Sequence, residues 1–169
     1  MGEKQTQFVA RVRTALKSRF PHAVDWAGGQ GAANTVALPR KASLRRPGPS
    51  RSGERFERAD VRCNVGNSTI VVEYDSGGIA THNLVKYWPY LRGEMSSSPS
   101  SAIILCHFSS WVTYGSYRDL WNWLAGQMMC DPTLKVRFAA RQFDHWDADL
   151  VKGDQSIAEC LDWVESEVK

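Results

Sequence analysis

The chain has no run of apolar residues approaching the roughly 20 that a bilayer-spanning helix needs, which argues against a helical membrane protein. Its first residues, Met1-Gly2-Glu3-Lys4-Gln5, carry no apolar core of a secretion signal, so the expectation is a cytoplasmic protein with no membrane partner. Cysteine is scarce. Cys63, Cys106, Cys130 and Cys160 lie far apart, with neither a CxxC pair nor clustered histidines, which argues against a zinc site and leaves four reduced, mostly buried thiols. The glycine-containing run from Gly28 to Thr35 has neither the GK[ST] ending of a P-loop nor GxGxxG spacing, so it reads as a flexible loop rather than a nucleotide site. There is no GxSxG elbow, and His107-Phe108-Ser109 is no recognisable dyad, so a hydrolase with a Ser or Cys nucleophile has little support. No internal repeat is visible.

What is present fits one domain, residues 1–169, with a real core: 169 residues, 43% hydrophobic and 23% charged. The net charge of +3 hides an asymmetry. Arg40, Lys41, Arg45, Arg46, Arg51, Arg55, Arg58 and Arg62 crowd one segment, opposed only by Glu54, Glu57 and Asp60. The C-terminal part is acidic, with Asp144, Asp147, Asp149, Asp154, Glu159, Asp162, Glu165 and Glu167 against Lys152 and Lys169. From Pro39 to Gly53 the chain is too rich in Pro, Gly, Ser and Arg to bury much apolar surface, so a basic flexible loop is expected at about 39–55. Such a loop either orders against a phosphate backbone or is simply solvated. The charge polarity favours a polyanionic partner.

The centre of the chain is Arg58 to Asp75, read as two strands joined by a Gly66-Asn67 turn on the strength of β-branched residues, period-2 alternation and turn chemistry. Centring the turn there puts Val65 opposite Ser68, Cys63 opposite Ile70, Val61 opposite Val72, and Asp60 opposite Glu73. Alternation then puts Val71, Glu73 and Asp75 on one face, and Ile70, Val72 and Tyr74 on the other. Like charges directly opposite cost from a few tenths to about 1 kcal/mol per pair. Three converging carboxylates, Asp60, Glu73 and Asp75, therefore suggest a cation, and oxygen-only sites suit Mg²⁺ or Mn²⁺. The alternative is a solvated edge strand with Arg58 or Arg62 neutralising the acids.

At these residues the chain resembles the PD-(D/E)XK, or restriction-endonuclease-like, nuclease superfamily. Arg58-Ala59-Asp60 is similar to the first motif without its proline, and Glu73-Tyr74-Asp75 to the second, with Asp75 where the family carries a lysine. The resemblance covers about residues 54–143. It implies an α/β fold with a single-domain αβββαβ core, a mixed central sheet and helices on both faces. It also implies a metal-dependent endonuclease in which Asp60 and Glu73 hold Mg²⁺ or Mn²⁺ and Asp75 binds a second ion or orients the water. Lys86 stands as a relocated catalytic lysine. The basic residues Arg45, Arg46, Arg51, Arg55, Arg58 and Arg62 would position nucleic acid, DNA ahead of RNA, and a homodimer is a further expectation. The missing lysine equally suits a catalytically degenerate module that binds nucleic acid or a protein partner.

Elsewhere, the spacing of Phe8, Val12, Ala15, Leu16 and Phe20 predicts a helix over 4–20, and Val24-Asp25-Trp26 a short strand. Thr81 is expected to cap a helix to about Leu91, packed through Leu84, Val85, Trp88 and Leu91. Helical spacing puts His82 and Lys86 on its other face, where Lys86 reads as a solvated lysine or a phosphate contact. A Ser-rich linker spans Gly93 to Ser101. Ala102 to Phe108 is a strand buried on both faces. Ser116 is expected to cap a helix whose Tyr117, Leu120, Trp121, Leu124 and Met128 face the core. Lys135 to Phe143 is a last strand, with Arg137, Arg141 and Gln142 as candidate substrate contacts, and a helix from about Ser156 to Val168 ends the order.

Overall fold

The computed structural model describes residues 3–28, 35–37, 55–57, 59–76, 79–94, 100–110, 115–146 and 149–168, without the side chains of 35–37, 55–57, 115 and 116. Helix α1 (Glu3–Arg19) buries Phe8, Val12 and Leu16, one residue per turn along a single stripe. Strands β1 (Val24–Ala27), β4 (Val61–Val65), β5 (Ser68–Asp75), β6 (Ala102–Ser109) and β7 (Arg137–Asp144) form one mixed sheet in the order β1-β4-β5-β6-β7. The first three run antiparallel; β6 and β7 are each parallel to their predecessor. A separate antiparallel ribbon pairs β2 (Thr35–Ala37) with β3 (Arg55–Glu57). The glycine run continues into residues 29–34, and the basic loop into residues 38–54, both outside the described residues, as are 95–99 of the Ser-rich linker.

The β4–β5 hairpin has the expected register, with Val65↔Ser68, Cys63↔Ile70 and Val61↔Val72. Gly66 takes φ +55°, the conformation that the first central residue of a type II′ turn requires and that glycine adopts without strain. Period-2 alternation along β5 divides the core in two. Ile70, Val72 and Tyr74 pack with α1 and α5 (Leu150–Glu167), whereas Val71 faces α2 (His82–Val85), α3 (Trp88–Leu91) and α4 (Gly115–Met129). The chain is thus α/β, a mixed sheet covered by helices on both faces. Strand β6 is buried along its whole length, as its unbroken apolar run requires.

Three expectations need correction. The helix expected from Thr81 to Leu91 is two short ones, because Pro89 has no N–H to donate back along a continuous helix; Thr81 sits at the first N-cap but makes no side-chain cap bond. Helix α4 already begins at Gly115, so Ser116 lies within it, and Tyr117 and Leu120 are exposed while Trp121, Ala125 and Met128 fill the core. Helix α5 starts at Leu150, six residues early, because Asp149 caps it by accepting from Lys152 N at 3.1 Å. Within the described residues several of the C-terminal acids are paired: Asp154 with Arg11, Asp162 and Glu165 with Arg19, and Glu167 with Arg137. No helix of the described residues is long and apolar enough to cross a membrane.

Candidate functional site

The parallel registers of β5, β6 and β7 set two rows of polar residues across the carboxyl ends of the strands. Glu73, His107 and Gln142 form one row; Asp75, Ser109 and Asp144 form the other. In an α/β sheet this end of the strands is where ligands bind. By alternation all six lie on the face of Val71 and Leu105, beneath α2, α3 and α4.

Asp60 precedes β4. Its backbone N–H donates to Val72 O at 2.9 Å, and its carboxylate Oδ2 accepts from Tyr74 N at 2.8 Å, which ties the acid to the strand carrying Glu73. Gly28, at φ +153°, packs against it so closely that a Cβ there would overlap the Asp60 carbonyl. Only glycine fits.

Glu73 is buried, and its Oε1 meets both Lys86 Nζ, at 2.8 Å, and the hydroxyl of Tyr87. Burial pushes the carboxyl up to about 8; Lys86 and Tyr87 oppose that rise, and the charge of Asp60 adds to it. Lys86 is only 16% exposed in its side chain, so it is not the solvated lysine that helical spacing suggests. The reason is local. Lys86 and Tyr87 lie in the turn between α2 and α3, where the phase of a continuous helix no longer applies. His82 remains exposed.

Asp75 is held by protein donors on both oxygens. Ala80 N (2.7 Å) and His107 Nε2 (2.6 Å) reach Oδ2, and Asn83 Nδ2 (2.8 Å) reaches Oδ1. The Asn83 carbonyl oxygen in turn accepts from Lys86 Nζ at 3.0 Å. His107 is fully buried and stacks on Trp121, with ring centroids 5.3 Å apart and planes 5° apart. Gln142 Nε2 donates to His107 Nδ1 at 3.3 Å, which leaves the ring proton on Nε2, donated to Asp75. Among the described residues, Gln142 Oε1, Ser109 Oγ and Trp121 Nε1 are buried without a hydrogen-bond partner.

Of the residues expected from sequence, Asp60, Glu73, Asp75 and Lys86 therefore meet at one end of the sheet. Gln142 joins them through His107. Arg137 does not, being paired with Glu167, and Arg141 lies over Phe143 on the opposite face. Arg45, Arg46, Arg51 and Arg58 lie outside the described residues, as does the side chain of Arg55; Arg62 is half-buried on β4. Sequence reasoning missed Asn83, Tyr87, His107, Ser109 and Asp144. One signal was available: His107 and Ser109, like Gln142 and Asp144, are polar residues two apart at the end of a strand, hence on one face.

Among the described residues no group of three or more His, Cys, Asp or Glu side chains is disposed to hold a metal ion. Mg²⁺ requires less: one or two carboxylates, its own waters and substrate phosphate oxygens. Asp60 and Glu73 are the two acids whose donor chemistry fits it: Asp60 is tied through Tyr74 N to the strand that carries Glu73, and its charge adds to the rise that burial gives the Glu73 carboxyl. Asp75 has both oxygens engaged by protein donors.

Comparison with family models, with curated proteins and with solved structures finds no match to this chain.

Proposed function

We propose that this chain is a metal-dependent nuclease of the PD-(D/E)XK type, hydrolysing phosphodiester bonds in nucleic acid, DNA ahead of RNA. The observation that carries this reading is the 2.8 Å contact between Lys86 Nζ and Glu73 Oε1. The ammonium missing from the Glu73-Tyr74-Asp75 triplet reaches the triplet's acid from the next segment. Asp60 and Glu73 would hold Mg²⁺ or Mn²⁺, which when bound supplies an activated water and charge stabilisation at the leaving oxygen. Lys86 places a positive charge, and a transferable proton, beside Glu73. Tyr87 fixes the carboxylate by donating to the same oxygen. The basic residues from Arg45 to Arg62 would grip the backbone without reading its sequence.

The test is cleavage of supercoiled plasmid, single-stranded DNA and RNA with Mg²⁺ or Mn²⁺, against EDTA and Glu73→Ala controls. The reading expects metal-dependent cleavage that both controls abolish. It is overturned if no substrate is cut, or if the variant cuts as well as the parent.

A second reading, a catalytically degenerate module that binds nucleic acid or a protein, is favoured by the engagement of both Asp75 oxygens with protein donors. It predicts salt-sensitive binding that survives EDTA, and Asp60→Ala leaving affinity unchanged or improved.

A further inference from the structure

We propose that Asp75, Asn83 and His107 are positioning residues that hold Lys86 against Glu73, so that the acid standing in the lysine's usual place supports the lysine that acts instead. This rests on the nuclease reading for its purpose, though not for its geometry. The hydrogen bonds are continuous. Gln142 donates to His107, His107 to Asp75, Asn83 to Asp75, and Lys86 to both Asn83 and Glu73.

Each link has a distinct chemical requirement. Asp75 must be an acceptor on both oxygens, because all three of its partners are donors. Asn83 must donate through its nitrogen and accept through its oxygen, which a carboxylate cannot do and an amide can. His107 supplies the fixed end, being fully buried, stacked on Trp121 and held at its second nitrogen by Gln142. The other end needs fixing. Lys86 is a long flexible side chain in a turn between two four-residue helices, neither of which orients it by its own regularity. The contact with Asn83 gives Lys86 Nζ a second fixed partner, 3.0 Å away, alongside Glu73 at 2.8 Å.

The experiment measures Lys86 directly and activity separately. Trace acylation with acetic anhydride, read by mass spectrometry, gives the reactivity of Lys86 relative to the exposed Lys135 and Lys152 of the same chain. In the parent protein Lys86 should react slowly. Asn83→Ala removes one charge-assisted hydrogen bond, and the Lys86 rate should rise about tenfold while Lys135 and Lys152 stay unchanged. Asp75→Asn, which must lose an acceptor, should act in the same direction. In the cleavage assay Asn83→Ala should lower kcat with KM little changed, and adding Asp75→Asn should cost less than the two separate effects combined, since both cut one chain. Should Asp75→Asn not fold, Asn83→Ala, at a half-buried position, carries the test alone. An unchanged Lys86 rate in Asn83→Ala overturns the proposal, and so does a faster Lys86 with unchanged kcat. A faster Lys86 in a protein whose parent cleaves nothing upholds the positioning chain and removes the nuclease reading.

Discussion

Lys86 Nζ lies 2.8 Å from Glu73 Oε1, with the lysine side chain 16% exposed and the glutamate 4%. A lysine and a carboxyl buried this deeply gain from low dielectric when both are charged but lose the hydration of both, so the net stabilisation is small while removal of either partner alone is costly.

The raised pKa of Glu73 makes stability depend on pH. Folding shifts this carboxyl from 4.5 to about 8, chiefly by burial. Between those values the folded state binds a proton that the unfolded state has released, so the stability contributed by this group is fully present below pH 4.5 and is lost as pH rises through 8. The slope is at most about 1.4 kcal/mol per pH unit. Thermal unfolding of parent and Glu73→Gln between pH 5 and 8, without divalent metal, checks this: the isosteric amide should remove the decline, so its melting temperature gains on the parent as pH rises.

The N-cap of α5 gives a second stability prediction. Asp149 accepts from Lys152 N, satisfying one of the otherwise unpaired amides of the first turn, and Asp149→Ala should cost about 1 kcal/mol. For a chain of this size that corresponds to a fall of about 2–4 °C in melting temperature, read by calorimetry. Asp149→Asn, which keeps the acceptor, should restore most of it.

Reading the sequence recovered those parts of the fold whose signals are local. The β4–β5 register follows from alternation and one Gly-Asn turn, and β6 from an unbroken apolar run. The start of α5 was missed because Lys152, Gly153 and Asp154 show no apolar stripe; what makes that turn helical is a cap. The site was half legible. The hairpin's turn and alternation fix the register up to Val61 and Val72, the neighbours of Asp60 and Glu73, but the row Glu73–His107–Gln142 depends on parallel pairing between segments more than 30 residues apart, which no local pattern encodes. Lys86 was placed on the wrong side because a helical wheel was carried through Pro89, which breaks the helix.

The thiols offer a check on the core that is independent of function. Cys63, Cys106 and Cys160 are buried on the α1/α5 side of the sheet, and Cys130, just after α4, is exposed. Burial pushes the Cys63 thiol up to about 12 and drives Cys106 well above its ordinary value, the latter also through a hydrogen bond with Cys160. A thiol–disulfide reagent attacked by thiolate should therefore titrate one cysteine rapidly in the native protein and all four after unfolding. Cys130→Ser should abolish the rapid phase.

The sharpest prediction concerns the lysine itself. If Lys86 serves the reaction by moving a proton at Nζ, Lys86→Met should lower kcat/KM by about 10² to 10⁴, and Lys86→Arg should recover little of it. A guanidinium keeps the positive charge but does not release its proton near neutral pH, and its wide planar fork does not fit where a single ammonium meets Glu73 Oε1 and the Asn83 carbonyl at 2.8 and 3.0 Å. If Lys86 instead only neutralises charge, Lys86→Arg should approach the parent in activity at low salt and Lys86→Met should not. Single-turnover cleavage of one labelled duplex by the three proteins, over a range of pH, separates the two roles. Proton transfer leaves a pH-dependent limb in the parent that both variants lack, whereas a purely electrostatic role leaves the profile of Lys86→Arg parallel to that of the parent.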